Sequence, residues 1–134
     1  MYSHALTCLL QGAKLIGTNK DRILAKPGGF EVGNGSVVAM FEYATNTQSP
    51  DIAKPSKTML DLFLRHFHLK KEDVILIGDN LETDIRLGYE NGVQTIFVET
   101  GVHTRKDIAT LNIHPTWIVS NLMECVEYDT ILQD

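Results

Sequence analysis

Val74-Ile75-Leu76-Ile77-Gly78-Asp79-Asn80-Leu81-Glu82-Thr83-Asp84 is an apolar run that stops at a glycine and then delivers two aspartates five residues apart, Asp79 and Asp84. A short apolar run closed by turn residues reads as a buried strand leading into an acidic loop. In an open α/β sheet, ligands collect in the crevice at the carboxyl ends of the strands. Asp79 falls at that crevice, and Asp84 follows on the first turn of the next helix. Hard oxygen donors of this kind suit Mg²⁺, which takes one or two protein carboxylates and completes its shell with water and substrate phosphate. The same Gly-Asp pattern also occurs where the aspartate only caps the following helix. A magnesium-dependent phosphate site and a helix cap are both open readings of Asp79 from these residues alone.

The flanking sequence alternates helix and strand. Downstream, residues 83–91 read as a helix closed by Gly92, 93–99 as a strand, 104–111 as a short helix, 116–119 as a strand after Pro115, and 121–132 as a final helix. Upstream, Ser56 is an N-cap candidate for a helix through His66, with Met59, Leu60, Phe63, Leu64 and Phe67 on its buried side. This alternation predicts an α/β fold with a parallel sheet and right-handed crossovers. Nearer the N-terminus, Leu6, Leu9 and Leu10 recur at helical spacing, and residues 14–17 read as a short strand. Residues 20–35, rich in glycine, read as a loop with at most a short hairpin around Phe30 and Val32. Ser36 is placed as the cap of a helix bearing Val37, Val38, Met40, Phe41 and Ala44. The polar, proline-bearing stretch 46–55 marks a boundary near Ile52, dividing the chain into units 1–52 and 53–134.

Composition narrows the function. The chain has 134 residues, 43% of them hydrophobic, enough for one modest domain with a real core. Its net charge of -5, from 17 acidic and 12 basic residues, offers no basic stripe for nucleic acid or an anionic membrane. Cys8 and Cys125 lack metal-ligand spacing and fit reduced thiols in a cytoplasmic protein. No apolar run approaches the roughly 20 residues needed to span a bilayer, and the N-terminus does not read as a secretory signal. His4, His66, His68, His103 and His114 are scattered without ligand spacing and are assigned no chemistry.

Lys54-Pro55-Ser56, then Gly78 to Asp84, then Thr100-Gly101-Val102, resemble the C-terminal motifs of the haloacid dehalogenase (HAD) superfamily. More narrowly, they are similar to its 4-nitrophenylphosphatase, pyridoxal phosphatase and phosphoglycolate phosphatase branch. Gly17-Thr18-Asn19-Lys20-Asp21 and Gly35-Ser36-Val37-Val38-Ala39 resemble the second half of the large C2-type cap domain of that branch. The resemblance implies part of a Rossmann-like core at 53–134, carrying the C-terminal half of a cap at 1–52. It implies a Mg²⁺-dependent phosphomonoester hydrolase acting on a phosphorylated small molecule. It further implies Asp79 and Asp84 at the metal, Lys54 orienting nucleophile and phosphate, and Thr18, Asn19, Asp21 and Asn80 facing the substrate. Phosphoryl transfer is mostly positioning and charge neutralisation, which suits these residue types.

The family places its nucleophile in an Asp-x-Asp motif at the end of the first core strand, and no Asp-x-Asp occurs in these 134 residues. Ala53 also replaces the glycine usual before Lys-Pro. The expectation is therefore a polypeptide inactive by itself, because covalent catalysis needs the attacking group. The alternative is a non-catalytic module that binds phosphate, metal or a partner chain. Absence of the first core strand would leave the strand at Val74–Ile77 with an open edge, inviting self-association, strand exchange or a complementing partner.

Overall fold

The computed structural model of the protein describes residues 2–125. The elements run α1 (Tyr2–Leu10), β1 (Ile23–Lys26), β2 (Gly29–Val32), α2 (Asn34–Thr45), α3 (Lys57–Phe67), β3 (Ile75–Gly78), α4 (Arg86–Asn91), β4 (Gln94–Val98), α5 (Arg105–Leu111) and β5 (Trp117–Val119). A 3₁₀ turn (Lys71–Asp73) leads into β3, and a π-helical turn (Leu81–Ile85) leads into α4. Strands β3, β4 and β5 form a parallel sheet with β4 in the centre, so the chain is α/β as its alternation predicts.

The N-terminal elements depart most from the sequence reading. Residues 14–17 form no strand. A strand needs a neighbour for its ladder, and this segment instead runs past α2, with Gly17 seated on Val38. The expected loop at 20–35 is a fuller hairpin, in which Ile23 pairs with Val32 and Lys26 with Gly29. Gly28, at φ 81, supplies the left-handed turn residue that reverses the chain. Helix α2 is capped at Gly33 rather than Ser36, whose hydroxyl donates to the Arg22 carbonyl at 2.8 Å and ties helix to hairpin.

Ser56 does cap α3, its Oγ accepting the Thr58 N–H at 3.3 Å. The buried side of α3 is narrower than expected. Leu60 is buried, whereas Met59, Phe63 and Phe67 are 41%, 45% and 56% exposed. Only Leu60 and Leu64 reach the cluster formed with Leu87, Val93, Val74 and Leu76. A second cluster joins Leu81, Ile85, Phe97 and Ile113, with Ile108, Leu111 and Ile118 packed against it.

Both clusters lie on one face of the sheet. Paired residues in a parallel ladder point the same way, and the direction alternates along each strand. Leu76 and Thr95 therefore share a face with Phe97 and Ile118, and α3, α4 and α5 cover it. Gly88 lets α4 approach closely, since a Cβ there would lie 2.2 Å from the Thr95 methyl. The opposite face presents Ile75, Ile77, Ile96 and Trp117. Ile75 and Ile77 are 46% and 48% exposed, so β3 is not the buried strand its apolar run predicts. It is an edge strand among the described residues, and its second face is only thinly covered. The final helix expected at 121–132 is seen as helical residues 122–125, and the rest lies outside the described residues.

Candidate functional site

The carboxyl end of β3 carries Asp79 directly after Gly78. The cap of the following turn is Asn80, whose Oδ1 accepts the Glu82 N–H at 3.0 Å. Capping thus falls to the neighbour, and the Asp79 carboxylate is not spent on it. That carboxylate instead rests against Gly101, where a Cβ would stand 1.7 Å from Asp79 Oδ2. The Thr100-Gly101-Val102 loop after β4 is glycine at its centre because Asp79 occupies the side-chain space.

Asp84 folds back under the same crevice. Its Oδ2 accepts the Asn80 N–H at 3.3 Å, and its Oδ1 accepts from Lys54 Nζ at 2.5 Å. The pair is mostly shielded, with side chains 30% exposed for Lys54 and 13% for Asp84. Burial on its own pulls the Lys54 ammonium towards neutrality. The hydrogen bond and charge of Asp84, with further charge from Asp21 and Asp79, outweigh it and raise the Lys54 pKa above its ordinary value. Lys54 is thus held as a cation at the mouth of β3.

The loop before β1 reaches the crevice from above. Asp21 Oδ1 accepts from Thr83 Oγ1 at 2.6 Å and from Asn80 Nδ2 at 3.1 Å. Asn19 Oδ1 accepts the Asp21 N–H at 3.1 Å and so holds the loop in shape. Asn19, Asp21 and Asn80, expected to face substrate, are therefore bonded to one another and to the turn after β3. Thr18 is exposed and lies outside this network.

Three residues that sequence reasoning passed over stand beside these. Arg22 Nη2 donates to Glu82 Oε2 at 2.5 Å, and His103 Nε2 lies 3.8 Å from the same oxygen. With Ile23, Asn80 and Val102 they line a cavity of about 300 Å³. An adjoining recess is bounded by Lys20, Pro55, Thr83 and Arg86. The one usable signal for His103 was its place directly after Thr100-Gly101-Val102.

The donor set bears on a metal. Among the described residues no group of three His, Cys, Asp or Glu side chains is brought together to hold one. Asp79 with Asp84 behind it nevertheless fits the habit of Mg²⁺, which is content with one or two carboxylates when substrate oxygens and water fill its shell. The space vacated by a side chain at Gly101 is where that carboxylate projects.

Known proteins share the sequence and the fold of this chain. A family model described as HAD-hydrolase-like matches residues 51–125. An acid sugar phosphatase of Staphylococcus epidermidis is 37% identical over 120 residues, covering 90% of this chain and 46% of that protein. The acid sugar phosphatase of Staphylococcus aureus is 35% identical over 115 residues, 86% of this chain and 44% of the relative. Among solved structures, a 4-nitrophenylphosphatase of Thermotoga maritima superposes with a TM-score of 0.74 at 30% identity, covering 94% of this chain and 49% of its own. A p-nitrophenyl phosphatase from Archaeoglobus fulgidus gives 0.72 at 30% identity, covering 95% of this chain and 51% of its own. The chain spans about half the length of the curated relatives it matches. Among the described residues, no helix is long and apolar enough to cross a membrane.

Proposed function

The chain belongs to the HAD-hydrolase-like family, and from that premise we propose that it supplies the magnesium- and phosphate-binding part of a phosphomonoester hydrolase site. The observation that carries this reading is the Lys54–Asp84 pair beside the Asp79 carboxylate at the mouth of β3. Asp79 would hold Mg²⁺, with Asp84 contributing directly or through water. The ion would add positive charge facing the phosphoryl oxygens. Lys54, kept protonated by Asp84, offsets phosphate charge from the other side and points its ammonium at the crevice. Asp84 fixes where that ammonium sits.

The substrate is a phosphorylated small molecule. A sugar phosphate is the class favoured, because the staphylococcal relatives are named acid sugar phosphatases. Residues 1–52 act as the C-terminal half of a cap and 53–134 as part of the core. The attacking carboxylate comes from polypeptide equivalent to the part of the relatives that this chain does not span. The 134 residues alone therefore bind without turning over. The cytoplasm is the compartment, in keeping with the two unpaired cysteines Cys8 and Cys125.

A second reading, a non-catalytic module that takes up a partner chain or a second copy of itself, is favoured by the half-exposed Ile75 and Ile77 on edge strand β3. The deciding experiment follows Mg²⁺-dependent phosphate binding and hydrolysis of 4-nitrophenyl phosphate by the purified protein. Binding is expected, and it should be lost in Asp79→Asn and Lys54→Ala. Hydrolysis that survives both substitutions would overturn the assignment of the site.

A further inference from the structure

The cavity lined by Arg22, Ile23, Asn80, Glu82, Val102 and His103 opens one residue from Asp79 along two separate loops. Asn80 follows Asp79 directly, and Val102 and His103 follow Gly101, the residue against which the Asp79 carboxylate rests. Whatever is attached to a phosphoryl group held at Asp79 and Lys54 has this space beside it. At about 300 Å³ it is at the lower end of small-molecule sites.

Its wall has a definite hydrogen-bonding character. The Leu81 N–H donates to His103 Nδ1 at 3.2 Å, which leaves the proton of a neutral imidazole on Nε2, 3.8 Å from Glu82 Oε2. Arg22 donates to that same oxygen at 2.5 Å from the other flank. One carboxylate acceptor thus stands between two N–H donors, its charge balanced by the guanidinium. Such a wall does not suit an anionic group, which Glu82 would repel. It does not suit an apolar group either, which would displace water from the remaining donor and acceptor sites of Arg22, Glu82 and His103 and offer none in exchange. A hydroxyl, which donates and accepts at once, satisfies both kinds of site. Ile23 and Val102 complete the lining with an apolar surface for the C–H groups of a carbon skeleton.

We propose that Arg22, Glu82 and His103 are specificity-determining residues that read the hydroxyl groups of a polyol or sugar leaving group. The inference deepens, and rests on, the reading of the neighbouring crevice as a phosphomonoester site. It assigns the discrimination to particular side chains. Arg22 comes from the start of the hairpin, and Glu82 and His103 from the two loops of the sheet, so recognition needs all three segments in register.

The test is a calorimetric or NMR titration of the purified protein in Mg²⁺ buffer with inorganic phosphate, ethyl phosphate and glucose 6-phosphate. Glucose 6-phosphate is expected to bind at least about tenfold more tightly than ethyl phosphate, the worth of one hydrogen bond to a charged group. That ratio should collapse towards one in Glu82→Leu, His103→Leu and Arg22→Leu. It should recover in part in His103→Gln, whose amide nitrogen stands in for Nε2. Arg22 has a side chain 75% exposed, so its variant tests recognition without threatening the fold. Equal affinity for the two esters, or a ratio that the substitutions leave unmoved, overturns this inference alone. Failure of all three ligands to bind overturns the phosphate site and the inference with it.

Discussion

Gly101 and Asp79 share one volume: a Cβ on Gly101 would stand 1.7 Å from Asp79 Oδ2, closer than any two unbonded heavy atoms can sit. Substituting Gly101→Ala must therefore displace the Asp79 carboxylate or the loop after β4. We expect a loss of stability of about 1–3 kcal/mol. Mg²⁺-dependent phosphate affinity should fall at least as far as in Asp79→Asn. Parallel urea melts and phosphate titrations check this, and an alanine variant that binds like the parent would refute the shared-volume account.

Gly88 makes the same point away from the site. Alanine is a better helix former than glycine by roughly 1 kcal/mol, so Gly88→Ala in α4 should stabilise on propensity alone. Here the added methyl would lie 2.2 Å from Thr95 Cγ2 and 3.1 Å from the Val93 carbonyl. Overpacking of about 1–3 kcal/mol outweighs the propensity gain, and the predicted sign is destabilising. A raised unfolding midpoint for Gly88→Ala would contradict the close packing of α4 on β4.

Acid sensitivity has a nameable contributor. Glu42 accepts from the Ser49 backbone N–H and from Ser49 Oγ, both at 2.8 Å, and these bonds hold its carboxyl below the usual range. A depressed folded pKa contributes stability that is fully present above the ordinary value of 4.5 and is lost as pH falls through the folded value. Denaturation midpoints measured from pH 6 down to about pH 3 should fall less steeply in Glu42→Gln than in the parent. Identical slopes would mean that the Ser49 bonds do not favour the ionised form.

The thin cover over β3 predicts association. Ile75 and Ile77 are about half exposed on an edge strand, the arrangement that invites strand addition. Light scattering of the protein across a concentration series should show mass growing with concentration, and Ile77→Lys should abolish that growth. A concentration-independent monomer mass for the parent would remove self-association from consideration.

How much of this could be read from residues alone depended on whether the cause was local. The run Val74 to Asp84, the Ser56 cap and the Gly92 stop carry their own signals and appear in the fold where they were expected. The hairpin back to Ile23 was less legible, because its strands are short, exposed and without clear alternation. The exposure of Ile75, Ile77, Phe63 and Phe67 could not be read at all, since burial depends on which layers lie opposite. In the site, Asp79, Asp84 and Lys54 were marked by motif spacing. The cap that could have been Asp79 is its neighbour Asn80, a one-residue difference that the Gly-Asp pattern does not encode. Arg22, Glu82 and His103 belong to three distant segments with no shared spacing, so only folding brings them to one wall.

The fastening between hairpin loop and sheet has an unequal response to salt. Lys20–Asp51 and Arg22–Glu82 are ion pairs whose cations are half-exposed and largely exposed in turn, and their attraction fades as the screening length shrinks to roughly 3 Å at 1 M salt. Asp21, by contrast, receives its two bonds from an amide and a hydroxyl, Asn80 and Thr83, which carry no charge to screen. Brine would thus strip the outer pairs while leaving the loop docked on the turn after β3, and the crevice at Asp79 keeps its roof by neutral donors rather than by charge.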